Sequence, residues 1–335
     1  MHVLPLTELD ERQFDSALAV QQRDELARDP GVAPITSPEL ARWARYDRTE
    51  GNRHERLAVL DDDRSRAVVH LELDSSEANR HRADLEIFGA THDPEAGVTG
   101  LSAALEIAAT DNRSVITAWA PNTDDHARFW TGVGAALGLR ERISSLDMTA
   151  VDTDLMDSWI LDGARRAPEV EIVRWVDRCP DEYLAQWVES QLAMNDMPLE
   201  GLDINAWTID AEDVRREEET IHDLGLHSMS ILAVDGNGRA GAHTRVIVNP
   251  TRPPASFQWD TAVVDRQRGR GTGKWIKAEM WRWLRNTEPG VTRLSTGNAQ
   301  SNDAMLAINV AMGYVPIMEL GAWQAPIDEI RRQVS

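Results

Sequence analysis

The chain has 335 residues, of which 42% are hydrophobic, enough for two domains with packed cores, and its formal net charge is −21. That charge argues against binding nucleic acid or an anionic membrane through the overall field, and it favours amine-bearing partners. The N-terminus has no basic leader, no run of about 18 apolar residues occurs, and Cys179 is the only cysteine. We therefore expect a cytoplasmic protein without a membrane span, an internal disulfide or a metal site.

The first half of the sequence has the pattern of one α/β unit. Its elements are defined by apolar residues at helical spacing, by proline at helix ends and by apolar runs on both sides of a polar turn. In chain order we expect a strand at 3–6, helices at 8–28 and 38–47, and a β-hairpin with strands at 57–60 and 67–73.

The second half follows a linker. Residues 153–170 are expected to form this linker, with a short helix that Pro168 ends. In chain order we then expect a strand at 171–175, a helix around 181–193, a loop at 194–205, a charged helix at 211–223, a hairpin strand ending at Val234, a strand at 257–264, a helix at 274–286, a strand at 291–296, a helix entered at Asn302 and a closing strand at 317–326.

A constant offset relates the two halves. The residues that recur identically 175 positions later include Leu57, Ala58, Val59, Arg64 and Ala67, and Gly138 recurs as Gly313. This pattern indicates a tandem duplication of one α/β unit. We expect the domains at 1–152 and 171–335, joined by the linker.

A glycine-rich loop at 268–273, Arg-Gly-Arg-Gly-Thr-Gly, lies between a predicted strand and a predicted helix. Glycine at every second position allows a sharp turn and the close approach of a ligand to the backbone. The first amide N–H groups of the following helix would be unpaired, which makes an anion site suited to a pyrophosphate. Arg268 and Arg270 would add charge-assisted contacts, and the only lysines, Lys274 and Lys277, follow the loop. The spacing fits neither the P-loop nor the dinucleotide-binding fingerprint.

The corresponding loop of the first half carries the opposite charge. At the offset of 175, Arg268, Gly269 and Arg270 correspond to Asp93, Pro94 and Glu95. Two carboxylates would repel an anion, and the proline lacks a donor N–H. We expect the first half to have kept the fold and lost the site, although Gly97 and Gly100 leave a weak or altered site open.

The glycine loop resembles the coenzyme-A pyrophosphate loop of the GNAT acyltransferase superfamily. The helix between Asn302 and Gly313-Tyr314 resembles the superfamily's next element. The segments 260–263, Asp-Thr-Ala-Val, and 296–302, Thr-Gly-Asn-Ala-Gln-Ser-Asn, resemble a group of actinobacterial tandem GNAT proteins. The layout also resembles mycothiol synthase, whose second unit is catalytic. The resemblance implies an α/β (α+β) fold class with two tandem GNAT-like domains, each a mixed, mostly antiparallel twisted sheet flanked by helices.

The resemblance also implies that acetyl-CoA, or another acyl-CoA, binds in the second unit. The pantetheine arm would pair with the exposed edge of the strand at 257–264, like an added strand, and a backbone amide there would polarise the thioester carbonyl. The implied cofactor-binding residues are Ala262, Val263, Val264, Arg268, Gly269, Arg270, Gly271, Thr272, Gly273, Lys274, Asn298 and Asn302.

Three residues are candidates for catalysis. Asp260 is the preferred general base, with burial expected to raise its pKa, and its alternative role is to brace the strand end. His243 is the second candidate base, and its alternative role is structural. Asn309 stands where the superfamily has its general acid, a tyrosine, so either Asn309 hydrogen-bonds the leaving sulfur or water protonates it. Tyr314 is expected to pack in the core.

In the superfamily, the region between the first strand and the hairpin covers the acyl acceptor. The carboxylates there that could hold an amine are Asp196, Glu200, Glu217, Glu218 and Glu219, although the glutamate run also fits a solvated helix face. We expect direct acyl transfer, most simply of an acetyl group, to the amine of a small molecule of secondary metabolism, by a monomer or homodimer. A non-catalytic acyl-CoA sensor or interaction protein, and acyl transfer from a carrier protein, remain open alternatives.

Overall fold

The computed structural model describes residues 1–46, 48, 49 and 51–334, and it contains two α/β units. Unit 1 comprises Met1–Arg142, Leu199–Ala206 and the chain from Ile317 onward. Unit 2 comprises Ile143–Pro198 and Trp207–Pro316. Each unit has a mixed, mostly antiparallel sheet with helices packed on it, so the expected fold class is confirmed.

Unit 1 begins with a strand and a helix, and it contains a β-hairpin. Its elements in chain order are β1 (His2–Pro5), α1 (Glu11–Arg28), α2 (Ser37–Arg45), β2 (Arg48–Thr49), β3 (Asn52–Asp61), β4 (Arg64–Leu73), β5 (Arg82–Phe88), α3 (Pro94–Thr110), β6 (Val115–Pro121) and α4 (Asp124–Gly132). The strand β7 (Ala136–Asp147) leads from unit 1 into unit 2.

Unit 2 repeats the pattern of helices and strands. Its elements in chain order are α5 (Thr153–Arg166), β8 (Glu171–Val176), α6 (Leu184–Leu192), α7 (Ala211–Asp223), β9 (His227–Val234), β10 (Ala240–Val248), β11 (Phe257–Val263), α8 (Thr272–Thr287), β12 (Arg293–Ala299) and α9 (Asp303–Met312). The strand β13 (Val315–Pro326) leads back into unit 1, where α10 (Ile327–Val334) follows.

The two sheets have related strand orders. In unit 1 the order is β1-β3-β4-β5-β6-β13, and only β5 and β6 pair in parallel. In unit 2 the order is β8-β9-β10-β11-β12, and only β11 and β12 pair in parallel. Alternate residues of a strand face opposite sides of its sheet, so each sheet can bury both faces under helices. In unit 1, Val59 packs with the α3 core, whereas Ala58 packs with the α1 core.

The expected helices and strands each overlap an observed element, but the units differ from the expected domain boundaries. The expected linker forms α5, which packs on α8 in unit 2, and Gly163 permits this approach because a Cβ there would lie 2.5 Å from the Trp275 side chain. Residues 199–206 and the chain from Ile317 group with unit 1. Asp47 and Ser335, which end the expected helix 38–47 and the expected second domain, lie outside the described residues.

The structure contains the repeat, but the expected constant offset is wrong after β5 in unit 1 and after β11 in unit 2. The strands β5 and β11 keep the offset of 175. The residues that cap the next helices, Asp93 and Gly271, are 178 positions apart, because the second unit has three more residues between strand and helix. Asn302, which caps α9, corresponds to Thr123, and Gly313 corresponds to Gly134 rather than Gly138, since both have positive φ after the helix.

No helix in the described part of the chain is long and apolar enough to cross a bilayer.

Candidate functional site

The parallel strands β11 and β12 separate towards their C-terminal ends. They pair at Phe257 and Ser295, and Thr296 Oγ1 donates to the carbonyl oxygen of Gln258 at 3.3 Å. Within the described residues no further register pair joins the two strands. Asp260 and Asn298 each lie three residues beyond that pair along their own strands, one on each side of the gap.

A β-bulge in β11 lies beside this gap. Thr244 of β10 pairs with Thr261, whereas Val246 pairs with Gln258, so β11 has one extra residue at Trp259 or Asp260. A bulge leaves a residue outside the ladder and re-aims its neighbours. Ala262 and Val263 pair with β10 on the other side, so their second edge faces the gap.

The chain turns from β11 into α8 through the glycine loop. Gly269 and Gly271 have φ of 76° and 86°, a left-handed conformation that favours glycine. Gly271 caps α8 without any side-chain hydrogen bond, and Thr272, the first helical residue, is 2% exposed. Thr272 Oγ1 is buried and has no hydrogen-bond partner among the described residues. An uncapped helix start beside an unsatisfied hydroxyl group is suited to an anion.

The corresponding helix start in unit 1 is already capped. Asp93 Oδ1 accepts a hydrogen bond from the backbone N–H of Ala96 at 3.1 Å, and Pro94 is the first residue of α3. A carboxylate therefore occupies the position that an anionic ligand would take. The counterparts of Asp93 and Pro94 in unit 2 are Gly271 and Thr272, so the expected correspondence with Arg268 and Gly269 is wrong.

The two loop arginines are held by carboxylates. Arg268 pairs with Asp196 at 2.6 Å, and its Nε donates to the carbonyl oxygen of Val263 at 3.1 Å. Arg270 pairs with Glu169 at 2.7 Å. These ion pairs are partly exposed, so they are weak and can open when a phosphate offers a competing anion. Asp196, expected on the acceptor side, instead lies at the glycine loop.

A buried cluster of charged groups surrounds Asp260. Asp260 Oδ2 accepts from Arg245 Nη2 at 3.1 Å and lies 3.5 Å from His243 Nε2. Arg245 Nη1 also pairs with Glu217 of α7 at 2.6 Å. All four side chains are buried, and the second oxygen of Asp260, Oδ1, has no hydrogen-bond partner among the described residues.

The pKa of Asp260 is shifted in the direction opposite to the expectation. Burial works against ionisation, but the guanidinium of Arg245 and the imidazole of His243 outweigh it and lower the pKa of the Asp260 carboxyl from 3.8 to about 2. The expectation of a raised pKa is therefore wrong, because no local pattern in the sequence indicates that Arg245 faces Asp260. A carboxyl with so low a pKa is a permanent anion and a weak base near neutral pH.

His243 lies deeper in the same cluster and is 0% exposed. Its ring contacts the ring of Trp187 edge to face at 5.1 Å, and Nδ1 has no hydrogen-bond partner among the described residues. Among the described residues, the Asp260 carboxylate is the one charged group within ion-pair distance of the ring. From the sequence, Asp260 and His243 are two separate candidate bases. In the structure their side chains lie next to each other.

The sequence did not identify Arg245, and it favoured a solvated face for the glutamates of α7. That interpretation holds for Glu219, which is exposed, but not for Glu217, which is buried against Arg245. Glu218 pairs with Arg215, and Glu200 belongs to unit 1. Helical spacing could have predicted that Glu217 is buried, because Val214 and Glu217 are three residues apart and share the buried side of α7.

A second polar network lies on the α8 and α9 side of the sheet. Lys277 Nζ donates to Asn309 Oδ1 at 2.8 Å, and Asn309 Nδ2 donates to Asn298 Oδ1 at 2.7 Å. Lys277 follows the glycine loop in the sequence, but it is only 2% exposed and so is not available to a phosphate at the loop. The Asn309 side chain already uses its oxygen and one N–H group in this network. Of the three side chains, Asn298 is the one on a strand that borders the gap between β11 and β12.

The remaining predicted residues have simpler surroundings. Lys274 is exposed, with Nζ 5.1 Å from the ring of Trp159. Asn302 caps α9 by accepting from the backbone N–H of Met305 at 3.2 Å. Tyr314 is buried as expected, and burial raises the pKa of its hydroxyl.

No protein-family model and no curated protein matches the chain. Among solved structures, the chain is similar to a tandem GNAT protein from the clavulanic acid biosynthesis pathway, with a TM-score of 0.74 and 21% identity over 97% of both chains. It is also similar to a GCN5-related N-acetyltransferase from Sphaerobacter thermophilus, with a TM-score of 0.62 and 12% identity over 95% of this chain and 97% of that chain. A GCN5-related glucosamine N-acetyltransferase region of a fungal multidomain GH3 β-N-acetylglucosaminidase gives a TM-score of 0.62 and 14% identity, over 94% of this chain and 37% of that chain. These likenesses show that the chain has the fold of a tandem GNAT protein.

Proposed function

We propose that the chain is an acyl-CoA-dependent N-acyltransferase that binds its acyl donor in unit 2. The observation that carries this proposal is the uncapped start of α8, with the buried, unpartnered Thr272 hydroxyl, directly after a strand that separates from its parallel neighbour. This combination offers an anion site and a free strand edge along one continuous path. The tandem GNAT fold supports the same assignment.

The residues present fit coenzyme A. The amide groups at the start of α8 and the hydroxyl of Thr272 would hold its pyrophosphate, with Arg268 and Arg270 released from their surface ion pairs to join them. The free edge of β11 at Ala262 and Val263 would pair with the amide groups of the pantetheine arm. Acetyl-CoA is the simplest donor of this class, and unit 1 would bind none because Asp93 caps α3.

The cluster around Asp260 suits an amine acceptor. Glu217 and Asp260 carry two negative charges against one positive charge on Arg245, so an ammonium group at the free Asp260 Oδ1 would balance the cluster. Asp260 would then bind the acceptor rather than take its proton. His243, which Asp260 orients, is the better proton acceptor of the two. Proximity to the donor would supply much of the remaining acceleration.

A small-molecule acceptor is supported by one of the similar structures, which belongs to the clavulanic acid biosynthesis pathway. We infer an amine of secondary metabolism as the acceptor class. The second candidate function is a non-catalytic acyl-CoA-binding protein. It is favoured by two observations: Asp260 Oδ2 is held in an ion pair with Arg245, and the Asn309 oxygen accepts from Lys277.

The deciding experiment incubates the full chain with acetyl-CoA and a panel of small amines, and follows free thiol and acylated product by mass spectrometry. An N-acyltransferase gives both products in equal amounts, and the His243→Gln variant gives neither above background. Binding of acetyl-CoA without thiol release for any amine would support the non-catalytic alternative. Thiol release that is unchanged in His243→Gln would remove His243 from the mechanism.

A further inference from the structure

Lys277 is the most deeply buried cation of unit 2 that the proposed mechanism leaves unused. It is 2% exposed, and no carboxylate lies within salt-bridge distance of it among the described residues. Its described neighbours are Asn309 and the ring of Tyr314, whose centroid lies 5.3 Å from Nζ. Burying a lysine without a counter-charge costs stability, so a purely structural role would be better filled by an apolar side chain.

The chemistry of lysine fixes the direction of the network. Lys277 Nζ donates to the Asn309 oxygen, and an ammonium group can only donate, so the charged form of Lys277 holds that oxygen towards itself. The Asn309 nitrogen must then face Asn298, and it can only donate there, so the Asn298 oxygen must accept. This leaves the Asn298 Nδ2–H group as the free end, and no partner for it is found among the described residues.

Asn298 is the member of the network that reaches the gap between the strands. It lies on β12 beyond the last pair with β11, and it is partly exposed whereas Asn309 and Lys277 are buried. The cluster around Asp260 contacts α6 and α7, whereas the lysine network connects α8, α9 and β12. A donor lying in the gap would therefore meet the acceptor on one side and Asn298 on the other.

We propose that Lys277 is a positioning residue that fixes Asn298 as an N–H donor to the sulfur of the acyl donor. This inference rests on the proposed function. In the reaction, the amine nitrogen forms a bond to the acyl carbon, the carbon–sulfur bond breaks, and its electron pair goes to sulfur. The proton of the amine passes to His243, and the thiolate leaves with the Asn298 N–H group as its hydrogen-bond donor. Asn298 thus takes the place on the leaving group for which Asn309 was expected.

The test measures the thiol of bound coenzyme A rather than turnover. Free coenzyme A is bound to the full chain, and the ultraviolet absorbance of its thiolate is followed across pH. We expect the thiol pKa in the wild-type complex to be lowered by about one unit, since a donor favours the thiolate. Lys277→Met should restore the ordinary thiol pKa while calorimetry shows coenzyme A binding within threefold of the wild type.

Two further variants make the test specific. Asn309→Asp keeps the shape and still accepts from Lys277, but a carboxylate cannot donate to Asn298, so it should also restore the thiol pKa. Arg285→Met, which removes an exposed charge from the same helix, should leave the lowered pKa unchanged.

Three outcomes are informative. An equal thiol pKa in the wild type, Lys277→Met and Asn309→Asp would overturn the inference, even if coenzyme A binds normally. Absence of coenzyme A binding to the wild type would overturn the proposed function and the inference together. If Lys277→Met does not fold, Asn309→Asp decides alone.

Discussion

Asp93 and Gly271 hold the same place at the start of corresponding helices, and only Asp93 fills it. The Asp93 carboxylate accepts from the backbone N–H of Ala96, whereas Gly271 contributes no side chain. The start of α3 is therefore capped by the side chain of Asp93, whereas the start of α8 has no side-chain cap. This difference between two copies of one fold carries the assignment of the donor site to unit 2.

The first prediction concerns a variant in which the aspartate that caps α3 in unit 1 is introduced at the start of α8 in unit 2. Gly271→Asp should lower acetyl-CoA affinity by more than about tenfold, because a carboxylate would occupy the anion site at the start of α8. The left-handed φ of 86° adds a strain of about 1 kcal/mol, which the new cap partly offsets. Gly238→Asp is the matched control, since its φ is 73° and a Cβ there meets open space. Equal affinity in both variants, measured by calorimetry, would place the donor elsewhere.

The second prediction concerns the role of Asp260. Asp260→Asn should raise the KM of the amine at least about tenfold and lower the free energy of unfolding by about 1–3 kcal/mol, because Arg245 loses a buried charge partner. Steady-state kinetics and urea unfolding measure the two effects. A variant with normal stability and normal kinetics would remove Asp260 from the site.

The third prediction separates proton transfer from binding. His243→Gln should lower kcat by roughly 10²–10⁴ while acetyl-CoA affinity stays the same, which is the usual contribution of a general base. His227→Gln, an exposed histidine at the start of β9, serves as the control. The loss should shrink for amines of low pKa, since these arrive already neutral. A loss that is independent of amine pKa would argue for a structural role of His243.

The fourth prediction uses the lowered pKa of Lys277. Burial lowers the pKa of Lys277 from 10.5 to about 7, so above neutral pH the unfolded chain binds a proton that the folded chain has released. Stability from this group therefore rises with pH, by about 2 kcal/mol between about pH 7 and pH 9. Lys277→Met should lack this rise and should be the more stable protein at neutral pH. Parallel unfolding curves of both proteins across this range would contradict the buried position of a chargeable Lys277.

The sequence predicted the order of elements because hydrophobic periodicity and turn residues are local properties. It also located the glycine loop and the closed helix start at Asp93. It could not place the network around Asp260, since Arg245, Glu217 and His243 come from different elements that only the fold brings together. The direction of the Asp260 pKa shift was wrong for the same reason.

The repeat offset failed for a different physical reason. The strands keep their spacing because a shift in register would move their side chains to the wrong face of the sheet, whereas a surface loop accepts insertions at small cost. Three extra residues in the glycine loop of unit 2 and one more between β12 and α9 shift the later elements, so the offset of 175 places Asn302 opposite Ala127, whereas the helix caps place it opposite Thr123.

The most direct test of the account is a calorimetric titration of the full wild-type chain with acetyl-CoA. The account predicts one site per chain, because the start of α8 is open and the start of α3 is capped. That single site should disappear in Gly271→Asp and persist in Gly238→Asp. Two equivalent sites per chain, or one site that survives Gly271→Asp, would contradict the assignment of the acyl donor to unit 2.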